Sequence, residues 1–286
     1  MAHHWHRGLR RPTIVALCLI LAAGAMSASG AQMTASITAK PVRVLQMNLC
    51  DSGIAPCYSG RSVAEAADVI RADDPDVVTL NEVCRDDVDE LDRALSGVAG
   101  SPDGGGVVVS AFKPAGDRRT AGAFHCLNGQ PYGIGLLVRI PAYRGYTTYS
   151  GLYPTQDLGD PEERAWLCLY AIGDFYACTT HLANTSATVA LDQCEYLLHT
   201  AIPAVRQRDG AYEPTVLGGD LNLGLAGPQD VRACVPQGYL RRGDGGVQYV
   251  LATTDFSLSS DRSIAMDGTT DHPGLFVALA TPNEAR

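Results

Sequence analysis

The stretch Val216-Leu217-Gly218-Gly219-Asp220-Leu221-Asn222 carries an apolar run directly into a carboxylate and an amide. A short apolar run of this kind, bounded by glycines, is typical of a buried β-strand. Residues 270–273 (TDHP) show the mirrored order, because their acidic and histidine side chains precede an apolar run over residues 274–279. Both stretches predict strands whose ends carry side chains able to do chemistry.

Three other apolar runs also end on a polar side chain, at Asn48, Glu82 and His181. Taken singly, each has an ordinary explanation, because Asn commonly forms turns and a lone Glu or His is usually solvated or satisfied. Taken with the acidic and histidine side chains of the first two stretches, they supply oxygen ligands, a base and proton donors. That combination is what metal-assisted hydrolysis of a phosphoester requires.

Two carboxylates, those of Glu82 and Asp271, are the expected ligands of a divalent metal such as Mg²⁺. Asn48 can place its amide oxygen on the same ion or donate to the phosphate. Asp220 can orient or deprotonate the attacking water. Asn222 follows two residues later and projects to the same side as Asp220 if the strand continues that far.

Two histidines are the expected partners of the phosphoryl group. Hydrolysis gathers negative charge on the non-bridging oxygens of the phosphate. His181 and His272 can each donate to one of these oxygens if the imidazole is protonated. With Asp220 and Asn222, they complete the set of candidate catalytic residues.

The periodicity of apolar residues predicts an α+β protein. Helices are expected over residues 61–73, 86–98 and 188–207, with a short helical turn over 228–234. Strands are expected over 41–49, 76–82, 107–112, 133–140, 144–150, 164–172, 175–181, 215–220, 247–253 and 275–280, and residues 113–131 and 152–163 are expected to be loops. Two packed sheets with helices on the outside fit this mixture of alternation and hairpins.

Eight segments of the chain resemble the endonuclease/exonuclease/phosphatase superfamily, whose members share the deoxyribonuclease-like fold. They are LQMNLC (45–50), VVTLNEVC (77–84), GIGLLVR (133–139), RAWLCLY (164–170), YACTTHL (176–182), VLGGDLN (216–222), VQYVLAT (247–253) and TDHPGLFV (270–277). The resemblance spans residues 42–279, and its most specific pieces are the GDLN and DH motifs. It implies a four-layer α/β/β/α sandwich of two packed mixed sheets with outer helices, and an active site at one end of the sheets.

The resemblance also implies roles for individual residues. Mg²⁺ or Mn²⁺ would be held around Glu82, with Asn48 and Asp271. The nucleophile and the phosphate would be handled by Asp220 and Asn222, and the scissile group by His181 and His272. Arg164 opens the RAWL strand, where relatives often place an arginine near the substrate, so it is predicted to bind substrate.

One position departs from the family pattern. In the strand that precedes the final Asp-His pair, here residues 247–250, relatives usually carry an aspartate that holds the ring of the last histidine, whereas this chain has Gln248. A Gln carbonyl can accept from Nδ1–H of His272 but would stabilise an imidazolium much less. The expectation is a contact between Gln248 and His272, a lower pKa of His272 and slower turnover, with Asp244 and Asp255 as alternative partners.

The N-terminal residues 1–31 resemble a secretory signal peptide. Arg7, Arg10 and Arg11 precede an apolar stretch over residues 14–26, which is too short for a membrane span, and small residues follow. A retained N-terminal anchor is the alternative. Removal of the signal would leave residues 32–286 as a single secreted domain, expected to be a monomer without a stable membrane span.

The cysteines indicate disulfides. Excluding Cys18, which lies in the apolar stretch, eight of the nine cysteines remain, and an even number in an exported chain is typical of disulfide bonding. A zinc site is disfavoured because the spacing between cysteines does not match that of zinc ligands. The predicted pairs are Cys50–Cys57 across a loop, Cys168–Cys178 across a hairpin turning at Gly173, Cys194–Cys234 between helical segments and Cys84–Cys126 by elimination.

The charge of the chain bears on its substrate. Loss of the three signal-peptide arginines would change the net charge from −9 to −12, which argues against broad binding to nucleic-acid backbones. The predicted function is a secreted, Mg²⁺-dependent, nuclease-like phosphodiesterase acting on nucleic acid or a small phosphodiester. The alternatives are a phosphatase or phospholipase C-type hydrolase, such as a sphingomyelinase or an enzyme acting on inositol phosphates, and a catalytically weakened binding protein on the same scaffold.

Overall fold

The computed structural model describes residues 41–98, 106–227 and 229–281. The helices are α1 (Ser62–Asp73), α2 (Arg85–Ser96), α3 (Ala187–Tyr196) and α4 (Ile202–Asp209). The strands are β1 (Pro41–Asn48), β2 (Val77–Cys84), β3 (Gly106–Pro114), β4 (Gly116–Asp117), β5 (Gly122–Ala123), β6 (Tyr132–Pro141), β7 (Tyr146–Leu152), β8 (Glu162–Glu163), β9 (Ala165–Ala171), β10 (Phe175–His181), β11 (Thr215–Asp220), β12 (Tyr239–Gly243), β13 (Gln248–Thr253), β14 (Ser257–Ile264) and β15 (Gly274–Ala280). The predicted signal peptide lies outside the described residues. None of the helices that the structure describes is long and apolar enough to cross a membrane.

The long strands form two six-stranded mixed sheets. The first sheet has the order β14-β15-β1-β2-β6-β3 and the second has the order β12-β13-β11-β10-β9-β7. Strands β1 and β2 are parallel in the first sheet, and β10 and β11 are parallel in the second. Each parallel pair brings two carboxyl ends to one edge of its sheet. A small third sheet joins β5, β4 and β8.

Three apolar cores fill the spaces between the four layers. Val44 belongs to the core between the two sheets, whereas its neighbour Leu45 belongs to the core that α1 and α2 form against the first sheet. This alternation follows from the opposite directions of successive side chains along a strand. Leu217 and Ile202 belong to the third core, where α3 and α4 cover the second sheet. The order of layers confirms the predicted α/β/β/α sandwich.

The two glycines of the GGD segment allow close packing around β11. A methyl group at Gly218 would collide with the Thr79 side chain of β2, in the other sheet. A methyl group at Gly219 would collide with the carbonyl oxygen of Thr180 on β10. The absence of side chains therefore brings β11 against both neighbours near the strand end that carries Asp220.

Besides the two-residue strands β4, β5 and β8, which lie in the predicted loops over residues 113–131 and 152–163, two strands were not predicted from the sequence, namely β12 and β14. Both are edge strands, and most residues of β14 are exposed. An edge strand with a polar sequence lacks the apolar alternation that predicts a strand, so its conformation depends on pairing with β13 or β15. The helix predicted over residues 188–207 is continuous but contains a π-helical turn over Leu197–Ala201. The predicted loop over residues 113–131 contains β4 and β5.

All four predicted disulfide pairs are confirmed. They are Cys50–Cys57, Cys84–Cys126, Cys168–Cys178 and Cys194–Cys234. Cys168 and Cys178 face each other directly across the β9–β10 hairpin, whose turn has Gly173 at a φ of 70°. The pair assigned by elimination joins the end of β2 to the loop before β6.

Candidate active site

Strand β2 presents Glu82 on a β-bulge. The register between β2 and β6 shifts between Asn81 and Val83, and Glu82 has a φ of 55°. A left-handed φ is uncommon for a residue with a side chain, and bulges of this kind re-aim side chains next to active sites. The bulge leaves Glu82 partly exposed, while the residues on either side are buried in the sheet.

Asn48, at the end of β1, joins the two sheets through its amide. Its Nδ2 donates to Oε1 of Glu82 at 2.9 Å and to Oδ2 of Asp220 at 3.1 Å. Its Oδ1 accepts from the backbone N–H of Cys50 at 3.1 Å. The amide nitrogen of Asn48 therefore faces the carboxylates, and the predicted ligand atom, Oδ1, is turned to the backbone.

Asp220 ends β11 in a buried position. Its side chain is 1% exposed, and Oδ1 accepts from the backbone N–H of Asn222. The pKa of Asp220 is raised to about 6, mainly by burial and also by the nearby charge of Glu82, although His272 and the hydrogen bonds from Asn48 and Asn222 oppose the rise. A carboxyl group with a pKa near neutrality is suited to exchange a proton with water.

The loop before β15 brings His272 and Asp271 to the same place. Nε2 of His272 lies 3.6 Å from Oδ2 of Asp220 and 3.8 Å from Oδ1 of Asp271. The hydroxyl of Thr270 donates to the carbonyl oxygen of Asn48 at 3.0 Å, which ties the loop to the end of β1. The Asp271 side chain is 55% exposed, so it stands at the mouth of the site.

His181 ends β10 and is held from behind by Arg164. Nη1 of Arg164 lies 2.7 Å from Nδ1 of His181, and Nε2 of His181 lies 3.8 Å from Oε1 of Glu82. An arginine can only donate, so Nδ1 must accept and the proton of the neutral ring sits on Nε2. Burial lowers the pKa of His181 well below its usual value, and the charges of Arg164 and His272 lower it further. His181 is thus a neutral donor, not the protonated one that was expected.

These contacts connect seven of the eight predicted site residues into one continuous series of neighbours. In order, the series is Arg164, His181, Glu82, Asn48, Asp220, His272 and Asp271. Asn222 joins it through its hydrogen bond to Asp220. β11 ends at Asp220 and Asn222 has a φ of 49°, so Asn222 reaches the site from a turn rather than along a strand. Its Nδ2 donates to the carbonyl oxygen of Leu182.

The predicted contact between Gln248 and His272 is wrong. Gln248 lies directly opposite Asp220 in the β11–β13 pairing, so both side chains are on the same face of the sheet. Its Nε2 donates to Oδ2 of Asp220 at 2.9 Å, and its Oε1 accepts from Gln46 at 2.7 Å. With both ends of its amide engaged, Gln248 supports Asp220, and the carboxylate nearest to Nε2 of His272 is Asp220 itself.

The two alternative partners of His272 are engaged elsewhere. Oδ1 of Asp244 accepts from the backbone N–H groups of Gly246 and Gln248 in the β12–β13 turn. Oδ2 of Asp255 accepts from the hydroxyl of Tyr212. Neither aspartate therefore takes the place that was expected of Gln248.

A family model described as the endonuclease/exonuclease/phosphatase family matches residues 50–272. The chain belongs to this endonuclease/exonuclease/phosphatase family. Members of the family are phosphoester hydrolases and generally depend on a divalent metal. The match begins just after Asn48 and contains the other candidate residues.

Solved structures of the endonuclease/exonuclease/phosphatase fold resemble the chain over most of its length. A family protein from Beutenbergia cavernae has 21% identity and a TM-score of 0.62, covering 85% of this chain and 72% of that one. The human Nocturnin catalytic domain with bound sulfate has 17% identity and a TM-score of 0.58, with coverages of 84% and 93%. ANGEL2, described as a 2′,3′-cyclic phosphatase, has 14% identity and a TM-score of 0.59, with coverages of 86% and 99%. No curated protein sequence matches the chain significantly.

Sequence reasoning missed a network of buried polar side chains beneath the site of this endonuclease/exonuclease/phosphatase protein. Gln46, Thr79 and Asn81 are fully buried between the sheets, together with Gln248. Their signal was present in the sequence, because the runs LQMN and VVTLN each place a polar residue inside an otherwise apolar strand. A polar side chain in such a strand needs a buried partner, and Gln46 and Asn81 each find one on the other sheet.

The buried position of Arg164 differs from the expected substrate-binding position. The residue is 2% exposed, and its guanidinium lies 3.2 Å from Glu162 and 3.3 Å from Asp160, besides the contact with His181. Burial raises the pKa of Glu162 to about 7, and the charge of Arg164 opposes that rise. In this arrangement Arg164 orients His181, while direct contact of Arg164 with substrate stays a prediction.

Proposed function

We propose that this protein is a secreted, metal-dependent phosphodiesterase with nuclease-like activity. The observation that carries the proposal is the unbroken chain of contacts from His181 through Glu82, Asn48 and Asp220 to His272. It joins the ends of strands from both sheets at one edge of the sandwich. Membership of a family of phosphoester hydrolases supports the same conclusion.

The donor set of the site suits a hard divalent cation. Glu82 and Asp271 offer carboxylate oxygens, and all eight described cysteines are in disulfides, so no thiolate competes. The charge of Glu82 raises the pKa of Asp220, which means that the two carboxylates repel each other. A cation bound at Glu82 would offset that repulsion. We infer that Mg²⁺ or Mn²⁺ is held by Glu82 and Asp271. Asn48, the third predicted ligand, would have to turn its amide, because its Oδ1 accepts from the backbone of Cys50.

The bound cation would neutralise charge on the phosphate and orient it for in-line attack. Asp220 would orient the attacking water and accept its proton, with its raised pKa bringing that exchange close to neutral pH. His272, within 3.6 Å of Asp220, is placed to share this proton or to donate it to the leaving oxygen. Asn222, beside Asp220, would contact the phosphate.

His181 would stabilise the transition state as a neutral donor. Its Nε2 lies 3.8 Å from Oε1 of Glu82, so it would be near a phosphate held by a cation on that carboxylate. Since Arg164 fixes the tautomer, no protonation step is needed before the donation, and the donor should stay in place across a wide pH range. A preorganised donor aimed at developing charge contributes more than one that must first rearrange.

Turnover of model diesters by the full-length protein tests this function. Bis-p-nitrophenyl phosphate, plasmid DNA and RNA would each be supplied with Mg²⁺ or with EDTA. Hydrolysis that depends on the metal and is lost in Glu82→Gln, but kept in Glu195→Gln on the exposed face of α3, would support the proposal. Metal-independent turnover, or turnover unchanged in Glu82→Gln, would contradict it.

The alternative activities are distinguished by substrates in the same experiment. A phosphatase would prefer p-nitrophenyl phosphate or an inositol phosphate to the diesters, and a phospholipase C-type enzyme would release phosphocholine from sphingomyelin. A weakened binding protein would bind a phosphodiester with the metal present and turn over none of these substrates.

A further inference from the structure

We propose that Gln46 and Gln248 are positioning residues of this site: they form an amide relay between the two sheets that aims an N–H donor at Asp220. The inference rests on the proposed function, because Asp220 is the group assigned to the attacking water. The relay is defined as the hydrogen-bonded series Thr79, Gln46, Gln248 and Asp220. It assigns a role to two glutamines that are not at the reacting centre.

The relay runs in one direction. The hydroxyl of Thr79 donates to Oε1 of Gln46 at 2.5 Å, and Nε2 of Gln46 donates to Oε1 of Gln248 at 2.7 Å. Nε2 of Gln248 then donates to Oδ2 of Asp220 at 2.9 Å. Thr79 and Gln46 belong to the first sheet, whereas Gln248 and Asp220 belong to the second. The donor that reaches Asp220 thus depends on a residue of the opposite sheet.

A branch through Asn81 locks the direction of the relay. Nε2 of Gln46 also donates to Oδ1 of Asn81 at 2.7 Å, and that oxygen accepts from the backbone N–H of Asp220 at 2.7 Å. Nδ2 of Asn81 donates to the carbonyl oxygen of Thr180 at 2.9 Å. If the Gln46 amide were reversed, its oxygen would face the oxygens of both Asn81 and Gln248. The only satisfied arrangement is therefore the one that turns Nε2 of Gln248 toward Asp220.

Burial makes this donor hard to replace. Gln46, Thr79, Asn81 and Gln248 are all 0% exposed, so water cannot substitute for a missing partner. Oδ2 of Asp220 accepts from Gln248 and Asn48, and Oδ1 accepts from the Asn222 backbone. These three donors set the plane of the carboxylate. The relay thereby decides how Asp220 faces His272.

The decisive variant is Gln46→Met, because the hydrogen bonds of Gln46 go to Thr79, Asn81 and Gln248 rather than to Asp220. Methionine keeps the side-chain volume but has no N–H for Gln248, so the Gln248 amide loses the contact that turns its Nε2 toward Asp220. We expect kcat to fall by about 10- to 100-fold, as is typical for residues that support a reacting group, with KM changed less than twofold. Gln248→Met, which also keeps the side-chain volume but cannot form the relay, should show the same split.

Gln193→Met is the matched control. Gln193 is also a fully buried glutamine, and it bonds the backbone of Ala183 and Thr155 rather than Asp220. It should lower Tm much as the relay variants do while kcat stays within twofold of the wild type. If the relay variants lower Tm alone, or if Gln193→Met lowers kcat equally, the glutamines are structural and the proposal is wrong.

A double-mutant cycle tests the connection itself. In the double variant Gln46→Met/Gln248→Met, kcat should be no lower than in Gln248→Met alone, because the relay is already broken. Multiplied losses would show that the two glutamines act independently and would overturn the relay.

A crystal structure of Gln46→Met gives a readout that needs no activity. The Asp220 carboxylate should be turned from its wild-type orientation, and an unmoved carboxylate would refute the relay. If the wild-type protein hydrolyses no phosphoester, the proposed function fails, and the orientation of Asp220 in this variant still decides the relay.

Discussion

Replacement of Arg164 by methionine should damage both stability and catalysis, with a pH dependence that identifies the cause. The guanidinium is buried between Glu162, Asp160 and His181, with the shortest contact at 2.7 Å to Nδ1 of His181. Removal of one partner of a buried ion pair costs about 3–5 kcal/mol, because the other charge is left without compensation. For a chain of this size, that cost lowers Tm by roughly 6–20 °C.

The loss should be larger at pH 8 than at pH 5. The pKa of Glu162 is already raised to about 7 by burial, and loss of the opposing cation would raise it further. A carboxyl whose folded pKa lies above its unfolded value stabilises the fold below the unfolded pKa and loses that contribution as pH rises through the folded pKa. At pH 5 the buried Glu162 of the variant is neutral, whereas at pH 8 it must ionise without a partner or stay protonated at a cost.

The free energy of unfolding in urea and the turnover rate, each measured at pH 5 and pH 8, are compared between Arg164→Met and the control Arg119→Met. Arg119 also pairs with an aspartate, Asp117, but its side chain is 64% exposed, so its loss should change little. The Arg164 variant should also lose turnover, because the ring of His181 is no longer held in the Nε2–H tautomer. Equal stabilities of the two variants, or a loss for Arg164→Met that does not grow with pH, would refute the account.

Three further outcomes follow from other contacts. Gly218→Ala should destabilise the protein by about 1–3 kcal/mol, because the added methyl group would collide with the Thr79 side chain. Gly224→Ala, with open space around the added methyl group, should leave stability unchanged, and urea unfolding compares the two variants. The pKa of Asp87 is raised to about 7 by burial and by its neighbour Asp51, so Asp87 should make wild-type stability fall more steeply as pH rises from about 4 to 7. In Asp87→Asn, whose amide oxygen can still accept from the backbone of Cys84, that slope should be shallower, and an unchanged slope would contradict the assignment. Removal of the Cys194–Cys234 bond, which spans 40 residues, should lower the free energy of unfolding by about 4 kcal/mol. Removal of the Cys50–Cys57 bond, which spans 7 residues, should lower it by roughly 2.5 kcal/mol. Unfolding of the paired Cys→Ala variants compares the two, and a reversed order would exclude loop entropy as the main cause.

Much of the fold was predictable because its signals are local. Apolar periodicity identified α1 and α2 and the central strands, and the Gly173 turn between β9 and β10 correctly paired Cys168 with Cys178. Edge strands β12 and β14 escaped prediction because their conformation is imposed by pairing with neighbours. The positions of His181 and Asp220 at strand ends were also predictable, whereas Glu82 lies on a bulge two residues before β2 ends.

The sequence by itself determined which side chains stand at the strand ends, because the alternation along a strand and its polar boundary depend on adjacent residues. Only the tertiary structure decided what each side chain faces. Gln248 supports Asp220 instead of His272, because the β11–β13 register sets it opposite Asp220 and the packing of the sheets brings Gln46 to its other side. Arg164 lies behind His181 for the same reason. Contacts between distant segments depend on strand register and on the distance between the sheets, and the spacing of residues along the chain determines neither.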